Sequence, residues 1–187
     1  MPKILITGSN SGFGFLAALT LARQGHQVVA TMRDVSKGGE LFRTAQAEKL
    51  ALEIVELDVN DSASVEQCLA NPESIDVLVN NAGFEVEAAI EQIDDQLMQQ
   101  QFETNVMGPL RTMRAVLPAW KERGSGVVIN VSSIAGRVGS PYSGAYSASK
   151  FALEALSESL NFEVSQLGIR VHLIEPGRFA TSFKNNK

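Results

Sequence analysis

Ser133, Tyr146 and Lys150 are the side chains whose types and spacing suit acid–base chemistry. They fall in one stretch, Asn130-Val-Ser-Ser-Ile-Ala-Gly-Arg-Val-Gly-Ser-Pro-Tyr-Ser-Gly-Ala-Tyr-Ser-Ala-Ser-Lys150. The apolar run Val127 to Val131 reads as a buried strand. A Gly/Ser/Pro loop follows, then a helix that continues through Phe151-Ala-Leu-Glu-Ala-Leu. Four residues apart on a helix, Tyr146 and Lys150 share one face. Ser133 falls just past the strand, where a loop can hold a hydroxyl against a cleft. A free phenol has a pKa of about 10, too high to release its proton readily at neutral pH. A desolvated ammonium nearby favours the phenolate. Lowering the value by roughly 3 units takes about 4 kcal/mol of differential interaction. Tyr and Lys at this spacing also occur on solvated helix faces, so the remaining chain has to decide.

The elements needed to position such a site begin at the N-terminus. Lys3 to Thr7 reads as a short buried strand, followed by Gly8-Ser-Asn-Ser-Gly12-Phe-Gly14. A helix through Phe15-Leu-Ala-Ala-Leu-Thr-Leu-Ala-Arg stops at Gly25, and a second strand runs from Gln27 to Thr31. Glycines at such a strand-to-helix turn allow a sharp bend and let backbone amides approach a pyrophosphate at the positive helix end. The loop therefore marks a dinucleotide site, with Gly8, Ser11, Gly12, Phe13 and Gly14 as candidate cofactor-binding residues.

Cofactor choice is read at the end of the second strand, in Ala30-Thr-Met-Arg-Asp34. An acidic side chain there serves the ribose 2′-hydroxyl of NAD, whereas an Arg accommodates the 2′-phosphate of NADP. Met32 offers no acceptor and Arg33 offers a guanidinium suited to phosphate. NADP is favoured over NAD, with Asp34 leaving room for NAD and a solvated Arg33 as the plain alternative.

Further on, a helix is expected near Leu41 to Lys49, a strand from Leu52 to Leu57, a helix from Ser62 to Leu69, and a strand from Asp76 to Val79 that closes on Asn80-Asn-Ala-Gly83. A long helical segment from about Asp94 to Arg123 contains Asn105 and, four residues later, Pro109. A helical proline clashes with the carbonyl four residues back and removes its hydrogen bond. The expected result is a kink that frees the Asn105 carbonyl, or a break between two helices at Gly108-Pro109. The last strand expected is Ile169 to Ile174. Alternating strands and helices predict an α/β fold: a doubly wound, Rossmann-like parallel sheet in a single domain.

Bulk properties narrow the partners. With 44% hydrophobic and 20% charged residues, the 187-residue chain is ordinary globular material. A net charge of -5 argues against nucleic acid. The single cysteine, Cys68, rules out an internal disulfide framework, and neither His26 nor His172 has ligand spacing around it, so no metal is expected. No run is apolar enough to span a bilayer, and the expected setting is cytoplasmic.

Taken in order, Thr7 to Gly14, Asp58-Val59, Asn80 to Gly83, Asn105, Ser133, Tyr146 to Lys150, and Pro176-Gly177 with Thr181 resemble the short-chain dehydrogenase/reductases. The branch is that with a Thr-Gly-x-x-x-Gly-x-Gly loop, and the likeness covers nearly the whole chain. Ala30-Thr-Met-Arg-Asp34 and Lys150-Phe-Ala-Leu-Glu look like the hydroxysteroid and retinol dehydrogenase cluster. The resemblance implies that Ser133 and Tyr146 bind and protonate a substrate carbonyl. It implies that Lys150 holds the nicotinamide ribose and lowers the tyrosine pKa, and that Asn105 positions a relay water. It adds Asp58, Val59, Asn81, Ala82, Gly83 and Thr181 to the cofactor-binding set, along with Tyr146 and Lys150. The expected activity is an NADP-dependent oxidoreductase interconverting a secondary alcohol and a carbonyl. A catalytically idle NADP-binding regulatory or assembly protein is the alternative. Expected partners are a small-molecule substrate and copies of the chain, as a homodimer or homotetramer through residues 94–123 and 143–166. Family members continue past the Pro-Gly segment into a substrate-covering region and a last strand, which residues 1–187 are expected to lack.

Overall fold

In a computed structural model, residues 1–177 and 179 are described. Their strands are β1 (Lys3–Ile6), β2 (Gln27–Met32), β3 (Leu52–Glu56), β4 (Val77–Asn80), β5 (Gly126–Val131) and β6 (Ile169–Ile174). All pair in parallel in the order β3-β2-β1-β4-β5-β6. The helices are α1 (Gly12–Arg23), α2 (Gly39–Ala47), α3 (Ser62–Cys68), α4 (Asp95–Phe102), α5 (Gly108–Arg123) and α6 (Gly144–Val164).

Strand register explains the two layers of core. Val29, Leu5, Leu78 and Val128 form one row across the sheet. They pack with Val65 of α3, Met113, Val116 and Trp120 of α5, and Leu160 and Val164 of α6. The next residues, Ala30, Ile6 and Val79, point to the other face, where Ala18, Leu19 and Ala22 of α1 and Leu41 of α2 cover them. Strands buried on both faces read as unbroken apolar runs, which is why the parallel sheet was visible in the sequence. Each large aliphatic side chain so buried contributes about 1.5–3 kcal/mol relative to exposure. Trp120 is fully buried, and its indole Nε1 donates to the Ile75 carbonyl at 2.8 Å, so its one polar atom is satisfied.

This strand order makes the chain reverse direction across the sheet between β1 and β4. The loops leaving their carboxyl ends diverge and open a crevice there. The doubly wound expectation holds. Helix bounds move slightly: α2 starts at Gly39 and stops at Ala47, and Lys49 adopts the left-handed conformation (φ 55°) just beyond it.

Between α4 and α5 the chain does not break. Glu103–Met107 forms one wide π turn, in which the Gly108 N–H donates to the Glu103 carbonyl five residues back. Pro109 has no N–H to offer Asn105, and the widened turn absorbs the mismatch while the backbone stays helical. The carbonyl expected to be released by Pro109 is thus displaced by a π turn, not by a helix break.

Candidate active site

Loops leaving the carboxyl ends of all six strands surround a cleft of about 1400 Å³. Single-ligand pockets run to roughly 300–1,000 Å³, so there is room for a dinucleotide and a second molecule.

On one side the cleft is mostly backbone. Gly8 has a φ of +69°, and a Cβ on it would lie 2.8 Å from Ala82 Cα, so only glycine fits where the two loops touch. Thr7 Oγ1 fixes that meeting by accepting from the backbone N–H groups of Asn81 and Ala82 at 3.0 and 2.9 Å. Asn81 in turn donates its amide to the Thr7 and Gly8 carbonyls at 2.9 and 3.0 Å. The N-terminus of α1 follows, with no acidic side chain in its first turn to oppose an anion. Gly8, Ser11, Gly12 and Phe13 line the cleft, as do Arg33, Asp58, Val59, Asn81, Ala82 and Gly83. Gly14 does not; it packs against the Gly8 carbonyl and the Asn81 amide, where a Cβ would meet Asn81 Nδ2 at 2.5 Å. Thr181 lies outside the described residues. Asp58 accepts from the Asn60 N–H at 2.9 Å, which shapes its own turn.

At the end of β2 the structure adds a residue that the sequence reading missed. Asp34 accepts from Ser36 N at 3.0 Å and from Ser36 Oγ at 2.6 Å, capping a short 3₁₀ turn. Those bonds hold its carboxyl below its ordinary pKa. Lys37, at the end of that turn, lines the cleft with Arg33. Its signal was local but depends on the 3₁₀ turn that brings it back towards the cleft.

On the other side stand the acid–base residues. Tyr146 and Lys150 lie on the buried face of α6, and Ser133 caps a 3₁₀ turn after β5 by accepting from Ala135 N at 3.1 Å. The Ser133 hydroxyl donates to the Pro176 carbonyl at 3.5 Å and lies beside the Tyr146 phenol, near enough to favour its ionised form. Lys150 Nζ donates to the Val131 carbonyl at 2.8 Å and lies 5.7 Å from the centre of the Tyr146 ring. Burial pushes the phenol above its ordinary value; the Ser133 hydroxyl draws it partly back, and Glu85 adds to the rise. Burial drops Lys150 to about 8, against an opposing pull from Glu154. For the phenol, desolvation thus outweighs the Ser133 contribution.

Asn105, 1% exposed, does not line the cleft. Its side chain locks a neighbouring loop: Oδ1 accepts from Phe84 N at 3.2 Å, while Nδ2 donates to the Phe84 carbonyl at 3.0 Å and to Ser149 Oγ at 3.1 Å. The residue after Phe84, Glu85, accepts from Ser143 Oγ at 2.7 Å at the start of α6. Ala88 N donates to the Tyr142 carbonyl at 2.9 Å and secures the same junction. Glu85 reaches the phenol only through this long-range loop contact, and nothing in its local sequence marks it. Among the described residues no group of three His, Cys, Asp or Glu could hold a metal ion, and no helix is long and apolar enough to cross a membrane.

The whole arrangement has known counterparts. The family model for short chain dehydrogenases matches residues 2–187. Retinol dehydrogenase 8 of Bos taurus is 43% identical over 97% of this chain, which spans 60% of that protein's length. A gluconate 5-dehydrogenase from Burkholderia cenocepacia, solved with NADP and tartrate, superposes with a TM-score of 0.91 at 29% identity, covering 99% of this chain and 74% of the other. A short chain dehydrogenase/reductase from Burkholderia phymatum, solved with NAD, superposes equally well (TM-score 0.91) at 27% identity, covering 97% and 67%. Solved neighbours thus carry either dinucleotide. With its sheet order, glycine cradle and Ser–Tyr–Lys cluster, the chain belongs to the short chain dehydrogenase family.

Proposed function

We propose that the protein is an NADP-dependent oxidoreductase that interconverts a secondary alcohol and a carbonyl, with Tyr146 as its acid–base group. The observation that carries this is the Ser133 hydroxyl beside the Tyr146 phenol, with buried Lys150 a turn away, at the wall of a cleft whose opposite end is a glycine cradle. The Gly8–Gly12 backbone and the start of α1 would hold the pyrophosphate, Asn81 to Gly83 the middle of the dinucleotide, and Asp58 and Val59 its adenine end. NADP supplies or accepts the hydride when bound. Ser133 orients the substrate oxygen towards the phenol. Tyr146 delivers a proton to that oxygen in reduction and takes it back in oxidation, a contribution of about 100- to 10,000-fold for a positioned acid. Lys150 holds the ribose and stabilises the phenolate as it forms. Asn105, behind the cleft wall, braces the Phe84 loop against Ser149 of the helix that bears Tyr146 and Lys150.

NADP is preferred to NAD because the Asp34 carboxylate, although it also lines the cleft, is occupied by Ser36 and by Lys37 at 4.0 Å, while the Arg33 guanidinium lines the cleft beside it. We infer self-association, as a homodimer or homotetramer, from exposed Phe151 and Phe162 on α6. Testing a panel of ketones and aldehydes for NADPH and NADH oxidation checks the reading. It expects carbonyl-dependent oxidation of NADPH in preference to NADH. Tight NADPH binding without turnover on any carbonyl or alcohol would contradict it.

A further inference from the structure

The acid–base helix carries a second buried ionisable side chain that the proposed reaction does not use. Glu154 lies one turn beyond Lys150 and is 4% exposed, like Lys150 itself. Neither carboxylate oxygen has a hydrogen-bond partner among the described residues, and nor does the buried Ser132 hydroxyl. Gly136 lies over both groups: a Cβ there would sit 2.8 Å from Ser132 Oγ and 3.1 Å from Glu154 Oε1. A buried carboxylate is costly without a compensating cation. Arg137 is the direct partner: its Nη2 is 3.2 Å from Oε2, close enough for ion pairing though not aligned as a hydrogen bond. Lys150, one turn back on the same helix face, lies beyond direct ion-pairing distance with Nζ on the Val131 carbonyl, and the carboxylate acts on it through the buried, low-dielectric surroundings.

Arg137 reaches further. Its Nη1 is 3.8 Å from Glu158, and its Nη2 and Nε bond the two Glu175 oxygens at 2.9 and 3.2 Å. One guanidinium thus ties together the Ser133 loop, the helix bearing Tyr146 and Lys150, and the segment after β6, whose Pro176 carbonyl accepts from Ile134 N at 3.0 Å.

We propose that Glu154, held in place by Arg137, is a positioning residue that keeps Lys150 protonated at neutral pH and directed at the Val131 carbonyl and Tyr146. The proposal rests on the assignment of Lys150 to the acid–base cluster. The drop of Lys150 to about 8, with Glu154 as the opposing influence, agrees with it. Other charged groups on elements packed against α6 are Glu85, bonded to Ser143; Glu103 of the π turn, paired with Arg111; Asp95 of α4; and Arg170 and His172, both on β6. None of these is one helical turn from Lys150 on its own helix.

The test is an NMR titration of the full-length protein with lysine-selective ¹³C and ¹⁵N labels, with the Lys150 signal assigned by its loss in Lys150→Met. The wild-type midpoint is expected near 8. In Glu154→Gln it should fall by about one unit, the lower end for loss of a close opposite charge. Glu154→Asp keeps the charge and should restore most of the fall, which a purely packing role would not do. Should the Gln variant fail to fold, Glu154→Met, which fills the buried site without a charge, carries the test with the same expected fall. An unmoved midpoint in the uncharged variant, or an Asp variant as shifted as it, overturns the proposal. Because none of these measurements needs turnover, their failure is distinct from failure of the reductase reading.

Discussion

Lys150 is charged at a cost to stability. Its folded pKa of about 8 lies below its ordinary 10.5, so burying the ammonium destabilises the fold fully below pH 8. As pH rises from 8 to 10.5 the folded state releases its proton first, and the cost is relieved. The separation corresponds to about 3 kcal/mol. The unfolding free energy of wild type minus that of Lys150→Met should therefore climb by up to that amount across this window. A flat difference in urea titrations would place Lys150 in solvent. Arg33 makes a second prediction. Charge-assisted hydrogen bonds to a phosphate contribute about 1.5–3 kcal/mol, so Arg33→Ala should weaken NADP binding by roughly ten- to a hundredfold and leave NAD nearly unchanged. Equal losses for both cofactors, measured calorimetrically, would mean that Arg33 does not read the phosphate. Ser133, Tyr146 and Lys150 were legible because helical spacing and one strand end place them. Lys37 and Glu85 were not, since their positions depend on a 3₁₀ turn and on a loop pinned to α6 through Ser143.

At the scale of elements, the strand–glycine–helix unit was readable because both strand burial and the tight turn have local signatures. The division of labour among its glycines was not. Gly8 is required by its backbone conformation, whereas Gly14 is required by the close approach of α1 to the Gly8 carbonyl and Asn81. Gly14→Ala should thus cost about 1–3 kcal/mol by overpacking. It should also weaken dinucleotide binding, because the displaced Asn81 also braces Gly8. A variant with unchanged melting temperature and unchanged NADPH affinity would contradict the assigned packing. The π turn shows the same limit. Pro109 announces a disturbed helix, but whether the chain breaks, kinks or widens is set by packing, here by Gly108 against Val59.

For the molecule as a whole, the sheet order brings six loops to one cleft, and that convergence turns scattered residues into a site. Its outer surface leaves Phe162 of α6 82% exposed. If that face joins copies of the chain, Phe162→Ser should lower the sedimenting mass without lowering the melting temperature; unchanged mass would remove α6 from the interface. The central claim is that a hydride passes to a carbonyl carbon as Tyr146 supplies the proton. The most direct measurement uses NADPH deuterated at nicotinamide C4 with a carbonyl substrate from the panel, and mass analysis of the alcohol formed. Wild type should yield alcohol carrying one deuterium on the former carbonyl carbon. Tyr146→Phe should yield almost none while binding NADPH with nearly the wild-type dissociation constant. Deuterated alcohol from Tyr146→Phe at more than a few per cent of the wild-type rate, or none from wild type with NADPH bound, would contradict the account.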